Sequence, residues 1–202
     1  MANSAALNYE TTPSITLTVQ ASDGTLSDTA AITVNLNNLN DNAPNILDAT
    51  VALDENSANA TAVTNISDSF TATDFDRDGQ AITYSITAGN TGGAFTINAA
   101  TGAITVANSA ALDYATTPSF TLTVQASDGT LSDTAAITIN LNNLNDNAPD
   151  ILDATVALDE NSANATAVTD VNDSFTGTDL DRDGQALTYS ITAGNTGGAF
   201  AI

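Results

Sequence analysis

Hydrophobic and polar residues alternate along much of the chain, and β-branched residues are frequent in these runs when Thr is counted with Val and Ile. In Ser119–Ala126 every second residue is apolar, starting at Phe120, while Thr and Gln occupy the positions between. This period of two predicts a strand with one buried face. Asp128 and Gly129 form a turn signal, after which Thr134–Leu141 resumes the alternation. The two runs together predict a β-hairpin.

Five further short β segments precede this hairpin, separated by Asn, Asp and Gly. They are Ala49–Leu53, Ser69–Thr73, Ala81–Thr87, Gly93–Ile97 and Ala103–Val106. No stretch combines apolar residues at helical spacing with a capping signature, so we expect essentially no helix. Seven strands in about 105 residues predict an all-β fold, a seven-stranded antiparallel Greek-key sandwich of the immunoglobulin type.

The chain repeats itself with a period of 105 residues. Residues 3–97 align with residues 108–202, and 83 of the 95 pairs are identical. A helical or leucine-rich solenoid has units of roughly 20 to 50 residues, so this period suits a whole small β domain. Each copy ends in Asn-Asp-Asn-Ala-Pro, whose proline favours an extended joint. We therefore expect three parts: 1–42, the C-terminal half of one repeat; 43–147, a complete repeat; and 148–202, the N-terminal half of the next.

The composition is strongly acidic. The chain has 2 Lys plus Arg against 24 Asp plus Glu, a formal net charge of −22. A field of this sign repels nucleic acid and anionic membranes and attracts cations. Hydrophobic residues make up 42% of the chain, enough to bury a core. Cysteine is absent, which excludes disulfides and thiolate metal sites, and no apolar run of about 18 residues predicts a membrane span in this sequence.

Acidic and amide residues cluster in five places within one period. The clusters are Asp54-Glu55-Asn56, Asp74-Phe75-Asp76, Leu112-Asp113-Tyr114, Ala126-Ser127-Asp128 and Asn143-Leu144-Asn145-Asp146-Asn147. In this order and at these separations they resemble the motifs of the cadherin repeat, and the resemblance covers the whole chain. It implies cadherin-like tandem sandwiches that bind several Ca²⁺ ions at each joint between repeats, because one domain cannot easily supply the six to eight oxygens of a calcium site.

The resemblance also assigns ligands. At the first joint the implied ligands are Glu10, Asn40, Asp41, Asn42, Asp74, Asp76 and Asp128. At the second joint they are Glu55, Asp113, Asn145 through its main chain, Asp146, Asn147, Asp179 and Asp181.

The distribution of glutamate supports these assignments independently of the family. The chain has only three Glu, and Glu10, Glu55 and Glu160 all occupy motif positions, whereas a solvated acidic surface would scatter them among the Asp. The longer side chain can bind calcium bidentately. Asn38 and Asn143 stand where the family pattern has Asp, a change that reduces negative charge without removing an oxygen.

One motif differs between the two copies. The first copy reads Leu-Asn-Tyr-Glu, with Asn8 and Glu10, and the second reads Leu-Asp-Tyr-Ala, with Asp113 and Ala115. Each copy keeps one carboxylate and loses the other. We expect joints that are alike in architecture and unequal in ion binding.

Other interpretations of the acidic motifs carry less weight. Asp74–Gly79 resembles the start of an EF-hand loop, but Ser85 occupies the twelfth position, which must be acidic. The carboxylates could be solvated loop ends, and paired carboxylates can cleave glycosides. The chain lacks His, Cys and a glycine-rich phosphate loop, so we expect no enzyme. Asn59 and Asn164 match the N-glycosylation pattern, which an Asn- and Thr-rich chain produces readily.

These observations lead to a structural hypothesis. The chain is expected to be a calcium-stiffened part of the stalk or filament of a bacterial surface adhesin or matrix fibre, located outside the cell or at its surface. Its partners would be neighbouring repeats, arranged head to tail in a linear filament. The alternative is an adhesive module that makes homophilic or carbohydrate contacts, although aromatic residues make up only 5% of the chain.

Overall fold

A computed structural model describes residues 3–63, 72–76, 79–168, 177–181 and 184–202. In these residues the chain forms eight strands and no α-helix. The strands are β1 Ser14–Ser22, β2 Ser27–Asn35, β3 Ala49–Asp54, β4 Thr83–Ala88, β5 Phe95–Ile97, β6 Ile104–Val106, β7 Ser119–Ser127 and β8 Ser132–Asn142. Short 3-10 turns lie at Ser4–Ala6, Thr91–Gly93, Ser109–Ala111 and Thr196–Gly198.

Strands β3 to β8 form the central repeat. The larger sheet has the order β3-β8-β7-β4, and β5 pairs with β6. The predicted hairpin is β7 and β8, with Leu122 opposite Ile137 and Phe120 opposite Ile139. The all-β sandwich with essentially no helix is confirmed.

One pairing departs from the predicted antiparallel arrangement. Strand β3 runs parallel to β8, with Leu53 beside Leu141. Both strands run from the first joint towards the second: β3 follows the first linker, and β8 leads into the second linker. Two neighbours that travel in the same direction can pair only in parallel.

The core of the central repeat lies between its sheets. Leu122, Val124, Ile137 and Ile139 are fully buried, as the alternating pattern requires. The rings of Phe95 and Phe120 pack edge to face with centroids 5.2 Å apart. The favourable geometry of this aromatic pair adds to the hydrophobic burial that holds the two sheets together.

Six of the seven predicted strands are present in the central repeat. The seventh, Ser69–Thr73, lies outside the described residues except for its last two positions. There, Thr73 forms an isolated antiparallel bridge with Asn45. This bridge joins the chain just after the first linker to the acidic Asp74–Asp76 segment.

In the described residues, the parts on either side have no second sheet that covers them as in the central repeat. Strands β1 and β2 copy β7 and β8, yet Leu17, the counterpart of the fully buried Leu122, is 49% exposed. Residues 154–159 have the same sequence as β3 but form no strand. Strand β3 is held by β8, and no described residue takes the place of β8 beside residues 154–159. The local sequence therefore forms a strand only where its tertiary partner is present.

Candidate metal centre

Two joints between repeats collect the predicted ligands. The first joint consists of Glu10, the first linker Asn38–Asn42, the Asp74–Asp76 segment and Asp128. The second joint consists of Glu55, Asp113, the second linker Asn143–Asn147 and the Asp179–Asp181 segment. Each linker follows the last strand of one repeat and precedes the proline that leads into the next.

Three carboxylates converge at the first joint. Oxygens of Glu10, Asp41 and Asp76 lie within 4.8 Å of one another. Burial raises the pKa of Asp41, and the negative charges of Glu10 and Asp76 raise it further. The three residues come from the preceding repeat, the linker and the following repeat. Their convergence makes a strongly negative site to which all three parts contribute.

Asp76 is the buried centre of this site. It is fully buried, and its carboxylate accepts hydrogen bonds from the Asn42 main-chain nitrogen at 2.9 Å and the Asn42 Nδ2 at 2.5 Å. Burial pushes the pKa of Asp76 up, but these hydrogen bonds outweigh it and bring the pKa below its ordinary value. Asp74 holds the segment in shape, since its Oδ1 accepts from the Asp76 N–H at 3.0 Å.

Three buried oxygens of the first joint accept no hydrogen bond from the described part of the chain. They are Oδ1 of Asn38, Oδ1 of Asn40 and Oδ2 of Asp128. Asp128 is only 6% exposed, and the Leu131 N–H lowers its pKa against the opposing effect of burial. A buried anionic oxygen without a donor is costly unless a cation lies beside it. The donor set of carboxylates and amide oxygens is the one that calcium prefers, so the residues of the first joint fit this ion.

The second joint repeats the contacts between the linker and the following repeat. Asp181 is 2% exposed and accepts from the Asn147 main-chain nitrogen at 3.0 Å and the Asn147 Nδ2 at 2.7 Å. Burial raises the pKa of Asp181, but these donors bring it below its ordinary value. Oδ1 of Asp179 accepts from the Asp181 N–H. The described residues of this joint contain no carboxylate trio like that of the first, because Ala115 stands in the place of Glu10.

Glu55 connects the second linker to the preceding repeat. It is 3% exposed, and its two oxygens accept from the Leu144 N–H at 2.6 Å and the Tyr114 N–H at 2.7 Å. The neighbouring Asn56 donates from Nδ2 to the carboxylate of Asp146. Glu55 and Asp146 therefore lie at the same joint, as the resemblance to the cadherin motifs implies.

Asp113 occupies a local turn. Its Oδ1 accepts from the Thr116 N–H at 3.3 Å, just as Asn8 in the first copy accepts from the Thr11 N–H at 2.9 Å. The carboxylate and the amide thus stabilise the same turn. The structure does not bring Asp113 into a carboxylate cluster comparable to that of Glu10.

Two glutamines at the joints were not among the predicted site residues. Gln80 accepts from Asn40 Nδ2 at 2.9 Å, and Gln185 accepts from Asn145 Nδ2 at the same distance. A neutral side chain outside the acidic motifs does not indicate a metal site. The only available signal was that both glutamines follow the same Asp-Arg-Asp-Gly string, 105 residues apart.

Comparison with known proteins identifies the family. A family model described as the cadherin domain matches residues 49–142. Human protocadherin Fat 4 is 36% identical over 188 residues, which cover 88% of this chain and 4% of that protein. Human cadherin-related family member 2 is 36% identical over 153 residues, covering 72% of this chain and 11% of that protein. The chain thus spans only a small part of these relatives.

Solved structures agree with the sequence matches. Extracellular cadherin domains 3–6 of protocadherin gamma B2 align with a TM-score of 0.62 and 28% identity, covering 75% of this chain and 38% of that one. No described helix is long and apolar enough to cross a membrane. The predicted location outside the cell or at its surface fits these matches. Residues 49–142 are a cadherin domain, and the chain belongs to the cadherin family as a set of cadherin-like tandem repeats.

Proposed function

We propose that the chain is a calcium-stiffened segment of an extracellular stalk or filament that serves cell adhesion. The observation that carries this proposal is the first joint, where three converging carboxylates lie beside buried oxygens that lack a donor. The carboxylates come from two repeats and from the linker between them. A site built in this way couples the binding of a cation to the relative position of the two repeats.

The residues of the first joint have distinct parts in this proposal. Glu10 belongs to the preceding repeat, Asp41 to the linker and Asp76 to the following repeat. The linker residue Asn42 holds Asp76 in place by hydrogen bonds. Bound calcium would supply the positive charge that this cluster lacks. Without it, mutual repulsion among the carboxylates favours separation of the two repeats. With it, the same residues tie both repeats together.

We extend the proposal to the domain division 1–42, 43–147 and 148–202. The family match at 49–142 falls inside the central part. All residues of the buried hydrophobic core, from Ile46 to Leu141, fall inside it as well. Repeats joined in this manner form a linear head-to-tail array. Such an array suits the stalk of a bacterial surface adhesin or a matrix fibre, because near-identical copies build length and stiffness. This structural role of the array involves no catalysis.

A pair of matched variants tests the calcium proposal. Asp41→Asn removes one carboxylate from the first joint, whereas Asp28→Asn makes the same change at an exposed residue whose Oδ1 only accepts from the next N–H. Titration calorimetry with calcium chloride should show weaker binding or fewer bound ions for Asp41→Asn and an unchanged isotherm for Asp28→Asn. Identical isotherms for the two variants would show that the acidic joint is not a calcium site.

A further inference from the structure

Each linker is attached to the following repeat by an asparagine amide. Asn38 donates from Nδ2 to the main-chain carbonyl of Asp76 at 2.5 Å. At the second joint, Asn143 donates to the carbonyl of Asp181 at 2.6 Å. Both bonds cross from the linker to a residue 38 positions further along the chain. They recur in the same geometry at both joints.

The chemistry of this contact requires a hydrogen-bond donor at positions 38 and 143, which asparagine supplies. A carbonyl oxygen only accepts hydrogen bonds, and an ionised aspartate has no proton to donate. Aspartate at position 38 or 143 would place two oxygens against each other at this distance. The amide resolves this by turning its Nδ2 towards the carbonyl. At the first joint, Oδ1 of Asn38 stays buried without a donor and is thus left for a cation.

The asparagine bond is one of three kinds of contact between linker and following repeat. Asn42 donates to the Asp76 carboxylate through its main chain and side chain, and Asn40 donates to Gln80. Every donor is a neutral amide. None of these hydrogen bonds needs a metal ion to form.

The contacts at the second joint form without any strand in the described residues that follow it. Asn143 and Asn147 donate to Asp181 and Asn145 donates to Gln185, although the described residues beyond the second linker form no strand. The isolated bridge between Asp150 and Thr178 is the one sheet-like pairing described there. The attachment is therefore a local property of the linker and the acidic segment.

We propose that Asn38 and Asn143 form a metal-independent hold that keeps each linker attached to the repeat that follows it. When calcium is removed, the linker and the following repeat stay together as one body. Bending then occurs between the linker and the preceding repeat. This inference goes beyond the proposed calcium function, since it describes the ion-free chain and holds whether or not calcium binds.

The test compares two neighbouring asparagines in the full chain. Asn38→Ala removes the donor, and Asn37→Ala makes the same change at an exposed residue beside it. Hydrogen exchange is followed by NMR in EGTA at the main-chain N–H of Asn42, which donates to Asp76. Loss of the hold should speed this exchange by about fivefold in Asn38→Ala, the effect of one ordinary hydrogen bond. Asn37→Ala should match the unmodified chain.

A second readout follows the relative motion of the repeats. The chain has no cysteine, so Thr18→Cys and Thr121→Cys give two unique spin-label positions, both exposed, on the two sides of the first joint. In EGTA, Asn38→Ala should broaden the distance distribution, while Asn37→Ala leaves it unchanged. Equal exchange rates and equal distributions for the two variants would overturn the proposal. An unchanged melting curve of the central repeat checks that Asn38→Ala still folds.

A third variant separates this proposal from the calcium function. Asn38→Asp loses the donor but gains a carboxylate next to the candidate site. It should show the fast exchange of Asn38→Ala in EGTA and bind calcium at least as tightly as the unmodified chain. Slow exchange in EGTA would refute the hold. Absence of calcium binding in every variant would refute only the calcium function.

Discussion

Two leucines with the same local sequence provide a direct test of the burial seen in the structure. Leu122 on β7 is fully buried, and its counterpart Leu17 on β1 is 49% exposed. Leu122→Ala removes a side chain from a packed core and leaves a cavity, which destabilises a domain by about 2–5 kcal/mol. Leu17→Ala leaves no cavity, so its effect should stay below about 1 kcal/mol.

The difference is large enough for a simple assay. For a domain of about 100 residues, each kcal/mol shifts the melting temperature by about 4–8 °C. Taking about 3 kcal/mol, Leu122→Ala should lower the melting temperature of the central repeat by about 12–24 °C. Far-UV circular dichroism in EGTA measures this, at a protein concentration where light scattering gives the monomer mass.

The matched variant decides the outcome. Leu17→Ala should shift the same transition by less than about 4–8 °C, a third or less of the effect of Leu122→Ala. Equal shifts would contradict this prediction, because they would mean that the exposed face of β1 and β2 is packed as tightly in the monomer as the core of the central repeat.

Three further predictions concern the central repeat and the joints. Gly89→Ala should prevent stable folding of the central repeat, since its Cβ would lie 1.9 Å from a carbonyl oxygen of β7; Gly129→Ala, which meets no atom within 4 Å, should lower stability by only about 1–3 kcal/mol in thermal melts. Glu10→Ala should reduce the number of calcium ions bound in calorimetry and Ala115→Glu should increase it; changes of the opposite sign would contradict the proposed inequality of the joints. The lowered pKa of Asp128 adds stability above its ordinary value of 3.8 that is lost as the pH falls through its lower folded pKa. In EGTA, Asp128→Asn should therefore weaken the acid sensitivity of the melting temperature below about pH 4, and an unchanged pH profile would count against this role.

The alternation of residue types predicts the faces of β7 and β8 correctly, because a period of two maps directly onto the two sides of a strand. It could not predict that β3 pairs in parallel with β8. That pairing depends on which sheet edge the first strand reaches, a property of the whole fold. Residues 154–159 illustrate the same limit, since a sequence identical to β3 forms no strand without its partner.

The candidate site, like the fold, could be predicted from the sequence only in part. The resemblance to the cadherin motifs implied that Asp41 and Asp76 belong to one joint, and their carboxylate oxygens lie together there. It did not reveal Gln80, whose neutral side chain acts only through its position. The substitution at Asn38 suggested a loss of charge, whereas the structure shows that it also adds a donor. The orientation of an amide depends on its partners and cannot be read from its spacing.

We propose that calcium at the joints turns a flexible chain into a stiff one. Small-angle X-ray scattering of the full chain, recorded from EGTA to millimolar calcium with thermal melting in parallel, tests it most directly. Calcium should increase the maximum dimension and the rod-like stiffness and should raise the melting temperature, because ligand binding stabilises the folded joint. Unchanged scattering and an unchanged melting temperature across that range would contradict it.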